Sequence, residues 1–473
     1  APAIRRGVFA RTSLAVSRIR VAFWYVELIR DGLHPMMKES CVTSPEPTAG
    51  LSSLFSRAAS LLDRRPGIRL VLLVAAAVRI VSIFLLRSFL HPVTWEFGEI
   101  ATTIRAGLGY TIVLPNGGRA PSAYMPPAYP YLLVPVMKFG GSGWIGWLLL
   151  ELVQAALGVL LVYVIYRTAL LLMPRRVAIL AAILVAVYPT QVYTCNEFHS
   201  INFYMVLSAA VVLFLTRYVE RTGAWSDIVF AGLSGGILML FRAEAPALLL
   251  LFAVILLWRR GRKAAVPAAA FLIVAALCLA PWIIRNYRVF GRLVPVTVSA
   301  GYNLWIGNNP HATGSQHVQL VIPGPLQREL DRARQDRDYQ IHRDKIFERD
   351  AIHFALDHPI EDARVDLRKL VIFFVFDPAH EKSRRPLYWV PSVILSLFAL
   401  YGAWIRRRNL LREDLFLVTS ILFAVAVTAA VFALPRYKIV IDPFLMIFAA
   451  NCISTASSPA QGQRTAKFPP SAT

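Results

Sequence analysis

Residues 145–172 read IGWLLLELVQAALGVLLVYVIYRTALLL, a run in which Glu151 and Arg167 are the only charged side chains. A helix needs about 20 mostly apolar residues to cross a hydrocarbon core, so this stretch is long enough to span a membrane. Working outward from it, comparable runs occupy 69–90, 176–193, 200–218, 227–242, 245–259, 264–284, 387–405, 414–434 and 438–455. Ten transmembrane helices are therefore expected. Bulk composition agrees: 56% of the 473 residues are hydrophobic and 16% are charged, an apolar excess over average soluble usage that has to face lipid.

The net charge of +22 raises the question of nucleic acid, but the basic residues form no continuous patch with interleaved aromatics. They fall between apolar runs instead. Arg64, Arg65 and Arg69 precede the first run; Arg175, Arg176, Arg217, Arg221, Arg259, Arg260, Arg262, Lys263 and Arg406 to Arg408 mark later connections. Every second connection is basic, which by the positive-inside rule puts both termini in the cytoplasm. The expected location is a plasma (cell inner) membrane, crossed many times. Residues 1–68 form a basic extension, expected to be disordered or to lie upstream of the native start, and 456–473 a cytoplasmic tail. Cys41, Cys195, Cys278 and Cys452 share no close spacing, so neither a zinc site nor a disulfide framework is expected.

The opposite, extracytoplasmic connections are long. The first, 91–143, lies within the block 69–284 that holds spans one to seven; EFGEIATTIRAGL places Phe97, Ile100, Ile104 and Leu108 at helical spacing. The second, 285–386, carries 16 Lys and Arg, 13 Asp and Glu, and six of the nine histidines. Within it Leu330, Ala333, Ile341, Phe347, Ala351 and Phe354 lie roughly on one side of a helix. The stretch IEDARVDLRKLVIFFVF is too short in its apolar part to cross and reads as an interfacial helix. Residues 387–455 hold the last three spans.

Five pieces in this order, WEFGEIATTIRAGLGY (95–110), YMPPAYPYLL (124–133), NEFHS (196–200), APWIIRNYRVFGRLVPVTVSAGYNLWIGNNPHATG (280–314) and ALPRYKIVIDPFLMIFAA (433–450), give the chain its family likeness. From about Leu70 to Ala450 it resembles the GT-C membrane glycosyltransferases, specifically bacterial family 39 relatives of protein O-mannosyltransferases and aminoarabinose transferases. The resemblance implies an all-α polytopic fold and an inverting transfer of a sugar from a polyprenyl-phosphate donor to an extracytoplasmic glycan, lipid or protein acceptor. No cofactor is expected beyond that lipid-linked donor, and no residues are assigned to a metal. A carboxylate in the first outer loop would deprotonate the acceptor, and cations would stabilise the departing phosphate.

Carried onto this chain, the resemblance makes Glu96 the first candidate for the base, with Glu99 one turn on and Glu197 as a second outer acid. Val93 and Thr94 stand where those transferases typically carry an Asp-Glu pair, and Met125 where some have a lysine. Arg242, Arg285, Arg436 and Arg119, with Lys438 behind them, are candidates for the donor phosphate, because a planar guanidinium can make two charge-assisted hydrogen bonds. Tyr124, Tyr129 and Tyr302 could wall a sugar or prenyl chain, and Asn303, Asn308 and Asn309 could hydrogen-bond a glycan. Each has a plainer reading: helix-terminus charge for the acids, snorkelling for the arginines, an interfacial aromatic belt and turn formation for the asparagines. Arg79 and Glu151, both inside apolar runs, are expected to form a structural ion pair.

Asp336-Arg337-Asp338 has the spacing of a metal-binding acidic triplet, but a helix crowded with opposite charges generates such triplets freely. No phosphate-binding GxxxxGK[ST] or HExxH is present. A glycolipid transporter or flippase would show inverted repeats, which are not evident. A surface-polysaccharide polymerase or ligase would keep the glycan context but use a lipid diphosphate donor.

Overall fold

A computed structural model describes residues 67–456 except 114–117, 141–142, 317–320, 335–337 and 380. Nearly all of the basic extension, the tail after residue 456 and the Asp336-Arg337 part of the acidic triplet lie outside the described residues. Ten apolar helical segments occur where ten spans were expected: α1 (Gly67–Leu86), α4 (Ile145–Leu172), α5 (Arg175–Val187) with α6 (Pro189–Tyr193), α7 (Ile201–Arg217), α8 (Trp225–Phe241), α9 (Ala245–Arg260), α10 (Ala265–Phe290), α15 (Pro386–Ile405), α16 (Leu415–Ala430) and α17 (Pro435–Ala456). Among the described residues, six helices are long and apolar enough to cross a membrane, with α9 and α10 counted as one continuous run; the bent pair at α5 makes seven. Trp225–Phe241 and Leu415–Ala430 are shorter apolar helices. The chain is thus a multi-pass, all-α membrane protein.

Between the spans lie α2 (Trp95–Arg105), a small hairpin of β1 (Thr111–Val113) and β2 (Arg119–Pro121) pairing Ile112 with Ala120, and α3 (Ala128–Gly140). The second long connection folds as α11 (Ala300–Gly307), α12 (Gly324–Ala333), α13 (Tyr339–Asp357) and α14 (Pro359–Phe374). Trp305, Leu326, Leu330 and Phe347 form its core. On α14, Ile360, Leu367 and Val371 stay exposed, leaving an apolar stripe of the kind an interfacial helix lays on lipid.

The two ends of the bundle differ in kind. At one end Arg217 meets Asp227, Arg259 meets Glu220, and Arg406 meets Asp414, gathering three short basic connections. Gly261, with φ of 65°, turns the chain between α9 and α10 at this end. At the other end the two long connections interlock: Val298 donates its amide to the Ala123 carbonyl, and Ala123 donates to Gln340 Oε1.

The expected ion pair of Arg79 with Glu151 does not form. Pro189 has no amide hydrogen, so the chain bends by 55° between α5 and α6 and frees carbonyls at the end of α5. Arg79 answers them, donating to Val185 O, Ala186 O and Ala75 O. Gly158 on α4 makes room, since a Cβ there would lie 2.3 Å from Arg79 Nε. A buried guanidinium surrounded by backbone oxygens needs no carboxylate.

Candidate functional site

The interlocked end holds two groups of polar side chains that meet around α2. Glu96 sits exposed in the first turn of α2, directly after Trp95, whose φ of 51° is left-handed. A non-glycine residue in that region carries strain of order 1–3 kcal/mol, and such strain gathers at functional sites. Glu96 lies close enough to Tyr124 and Tyr302 for its charge to act on both hydroxyls. Arg343 of α13 stacks 4.5 Å from the Tyr302 ring centroid and also reaches Tyr124 electrostatically. Tyr302 is held in place by its amide, which donates to Asp344 Oδ1 at 3.0 Å. Burial raises the pKa of both tyrosines, an effect that Arg343 opposes, so they act here as neutral hydrogen-bonding groups.

The second group is built on the turn 196–200 between α6 and α7. Phe97, the residue after Glu96, packs edge-on against His199 with ring centroids 5.3 Å apart and against Tyr129 at 5.2 Å. Glu197 is half-buried and near the Tyr129 hydroxyl, which is itself buried without a hydrogen-bond partner. Arg242, just past the end of α8, is paired with Glu244 at 2.6 Å and lies 4.9 Å from the Tyr204 ring centroid. Arg436 opens α17 with its Nε buried and unpartnered. Burial, then the charges of Arg436 and Arg242, hold His199 well below the ordinary histidine range, so its ring is neutral. Tyr302 and Tyr437 both pack on the cluster of Ile306, Phe432 and Leu434, which joins the two groups from the other side.

Several candidates are engaged elsewhere. Glu99 Oε1 accepts the Val113 amide at 3.0 Å and so ties the hairpin to α2. Arg285 donates to Ser122 O at 2.7 Å and Tyr110 O at 2.9 Å, with its guanidinium against Tyr110 and Trp282. It is a clamp on the first long connection. Asn308 donates to Leu304 O and Ala430 O and accepts from Lys369 Nζ; Asn309 donates to Trp305 O and accepts the His311 amide. Both shape the end of α11. Lys438 is buried against Asp442 at 2.7 Å. Arg119 lies exposed on β2, and Asn303 is half-buried on α11.

Sequence reasoning passed over Arg343, Glu244 and Lys369. Arg343 sits in DRDYQIHRDKIFERD, where nothing sets one arginine apart from its neighbours. Glu244, two residues after Arg242, was within reach of a search for local charge pairs. Lys369 is fully buried and donates to Asn308 Oδ1, Asp366 Oδ1 and Ala429 O; only the fold reveals that its three donors tie α11, α14 and α16 together.

This arrangement, a bundle of apolar helices with an acid-opened helix and a packed helical connection at one end, is the GT-C fold. The oligosaccharyltransferase of Archaeoglobus fulgidus, tethered to an acceptor peptide containing a sequon, superposes with a TM-score of 0.50 at 14% identity, covering 83% of this chain and 50% of that one. ArnT from Cupriavidus metallidurans bound to undecaprenyl phosphate gives a TM-score of 0.36 at 16% identity, over 83% and 79% of the two chains. The chain spans about half the length of the archaeal enzyme. Within the GT-C class, residues 125–284 match the dolichyl-phosphate-mannose-protein mannosyltransferase family. No curated protein sequence matches the chain.

Proposed function

We propose that this protein is an inverting glycosyltransferase that moves a sugar from a polyprenyl-phosphate carrier to an extracytoplasmic acceptor at the plasma membrane. The observation that carries this reading is the meeting, around one helix N-terminus, of an exposed carboxylate with two aromatic hydroxyls on one side and two arginines on the other. Glu96 takes the proton of the acceptor hydroxyl. The acceptor oxygen attacks the anomeric carbon, the bond to the carrier oxygen breaks, and the polyprenyl phosphate departs with a second negative charge. Arg436 and Arg242 offset that charge, and Tyr124, Tyr302 and Arg343 line the acceptor side. A lipid monophosphate needs less neutralisation than a diphosphate, so this reading requires no metal ion and no cofactor beyond the donor.

General-base assistance contributes about 10²–10⁴-fold. Glu96→Gln, purified in nanodiscs and assayed with labelled polyprenyl-phosphate sugars, is expected to lose at least about 100-fold in transfer rate while eluting as the wild type does. A fully active Glu96→Gln variant would remove Glu96 as the base. Mass spectrometry of envelope glycans with and without the gene names the sugar and acceptor together; an unchanged envelope would count against transfer altogether.

A further inference from the structure

His199 has no place in the reaction as described so far, yet its surroundings are unusual. Its ring stands edge-on to Phe97, next to the base. Its Nδ1 is buried with no hydrogen-bond partner, and so is Nε of Arg436, whose charge acts on the same ring. Ser200 Oγ and Asn196 Oδ1, one and three residues away, are also buried and unpartnered. Buried polar groups in native proteins are almost always bonded, and an orphan asks for a partner such as water, an ion or a ligand. The orphaned Nδ1 of His199 and Nε of Arg436 lie on elements distant in sequence, with Arg436 near enough for its charge to act on the ring, and together they mark a polar site beside Phe97.

Resting on the reading above, we propose that His199 is a catalytic residue that donates a neutral imidazole N–H to an oxygen of the departing lipid phosphate. The atoms balance without proton transfer from the histidine. The acceptor proton goes to Glu96, the electron pair of the broken carbon–oxygen bond stays on the phosphate, and the phosphate passes from one negative charge to two. A phosphate monoester with a second pKa near about 6 departs as the dianion near neutral pH without protonation. A hydrogen bond that strengthens as charge develops is what helps it. Arg436 and the Glu244-paired Arg242 supply charge-assisted donors, and a further cation on the ring would be repelled by their guanidinium groups. The neutral ring adds a directed donor where another charge would be unfavourable.

The test uses full-length protein in nanodiscs, undecaprenyl phosphate as the probe of product binding, and the transfer assay. His199→Phe keeps a ring against Phe97 and removes the donor; His199→Gln restores an N–H donor of similar reach. The expected result is a loss of about 10- to 100-fold in kcat for the Phe variant, in the range of a removed transition-state donor, with recovery to within about threefold in the Gln variant. Should the Phe variant fail to assemble, His199→Leu serves as the donor-free arm. If donor-free and Gln variants are equally active, or equally impaired while folded, the donor role is overturned. Wild-type protein that binds no undecaprenyl phosphate would overturn the carrier reading itself. Wild-type binding with a donor-free variant that transfers at the wild-type rate would overturn only the role of His199.

Discussion

Arg285 is the sharpest place to separate a structural cation from a substrate ligand. By sequence it was a candidate for the donor phosphate; in the fold its Nη1 and Nη2 bind the carbonyls of Ser122 and Tyr110. Hydrogen bonds made by a charged group contribute about 1.5–3 kcal/mol each, giving about 3–6 kcal/mol gross for the pair. Tyr110 O also accepts the Ser122 amide at 2.9 Å, so Arg285→Met strands only the Ser122 carbonyl fully, and the expected net loss is near the lower end, about 3 kcal/mol. At 1.4 kcal/mol per factor of ten, local opening of the segment around 110–123 becomes about 100-fold more populated. Hydrogen exchange followed by mass spectrometry reads this directly at the amides of Ser122 and Ala123, which donate to Tyr110 O and Gln340 Oε1. The affinity for undecaprenyl phosphate should stay within about threefold of wild type, whereas Arg436→Met should weaken it by about tenfold or more. Unchanged exchange together with lost phosphate binding in Arg285→Met would refute the clamp and return Arg285 to the donor site.

Lys369→Met removes three hydrogen bonds, the one to Asn308 buried and those to Asp366 and Ala429 partly buried, at about 1–3 kcal/mol for each buried partner left unpaired; the thermal midpoint in detergent should drop, and an unchanged midpoint would show that α11, α14 and α16 are held by other contacts. Glu99→Gln keeps an oxygen able to accept the Val113 amide, so transfer should stay within about threefold of wild type, whereas a loss comparable to that of Glu96→Gln would make Glu99 the base. For His199 the sign of the pH effect follows from its lowered pKa. Below about 6.5, the unperturbed histidine value, the unfolded chain binds a proton that the folded chain refuses, so stability falls as the pH drops beneath that value. The difference in thermal midpoint between wild type and His199→Gln should therefore shift in favour of the variant between pH 7.5 and 5, and parallel curves would contradict a buried neutral ring.

The apolar helices were legible because each follows from one local property, the length of an apolar run, and their ends lie within a few residues of those read from sequence except at α10, which continues to Phe290; α8 and α16 are shorter than the helices long enough to cross a membrane. The fate of the buried cations was not, because it depends on where irregular backbone leaves carbonyls without amides. Arg79 looked like the partner of Glu151 until the bend at Pro189 freed Val185 O and Ala186 O. Arg285 and Lys369 likewise answer backbone oxygens at Tyr110, Ser122 and Ala429. In each case a carbonyl far away in sequence claims the side chain, and no local pattern announces it. The same logic sorts the site. Arginines and lysines whose donors end on backbone oxygens hold the fold, while Arg436, with a buried Nε unsatisfied, and Arg242, tied to a carboxylate instead of the backbone, retain donors or charge that a phosphate can use. Neither of those two satisfies a helix break or a loop, and both lie beside the neutral ring of His199, so the cations least needed by the fold are the ones gathered where the proposed leaving group would sit.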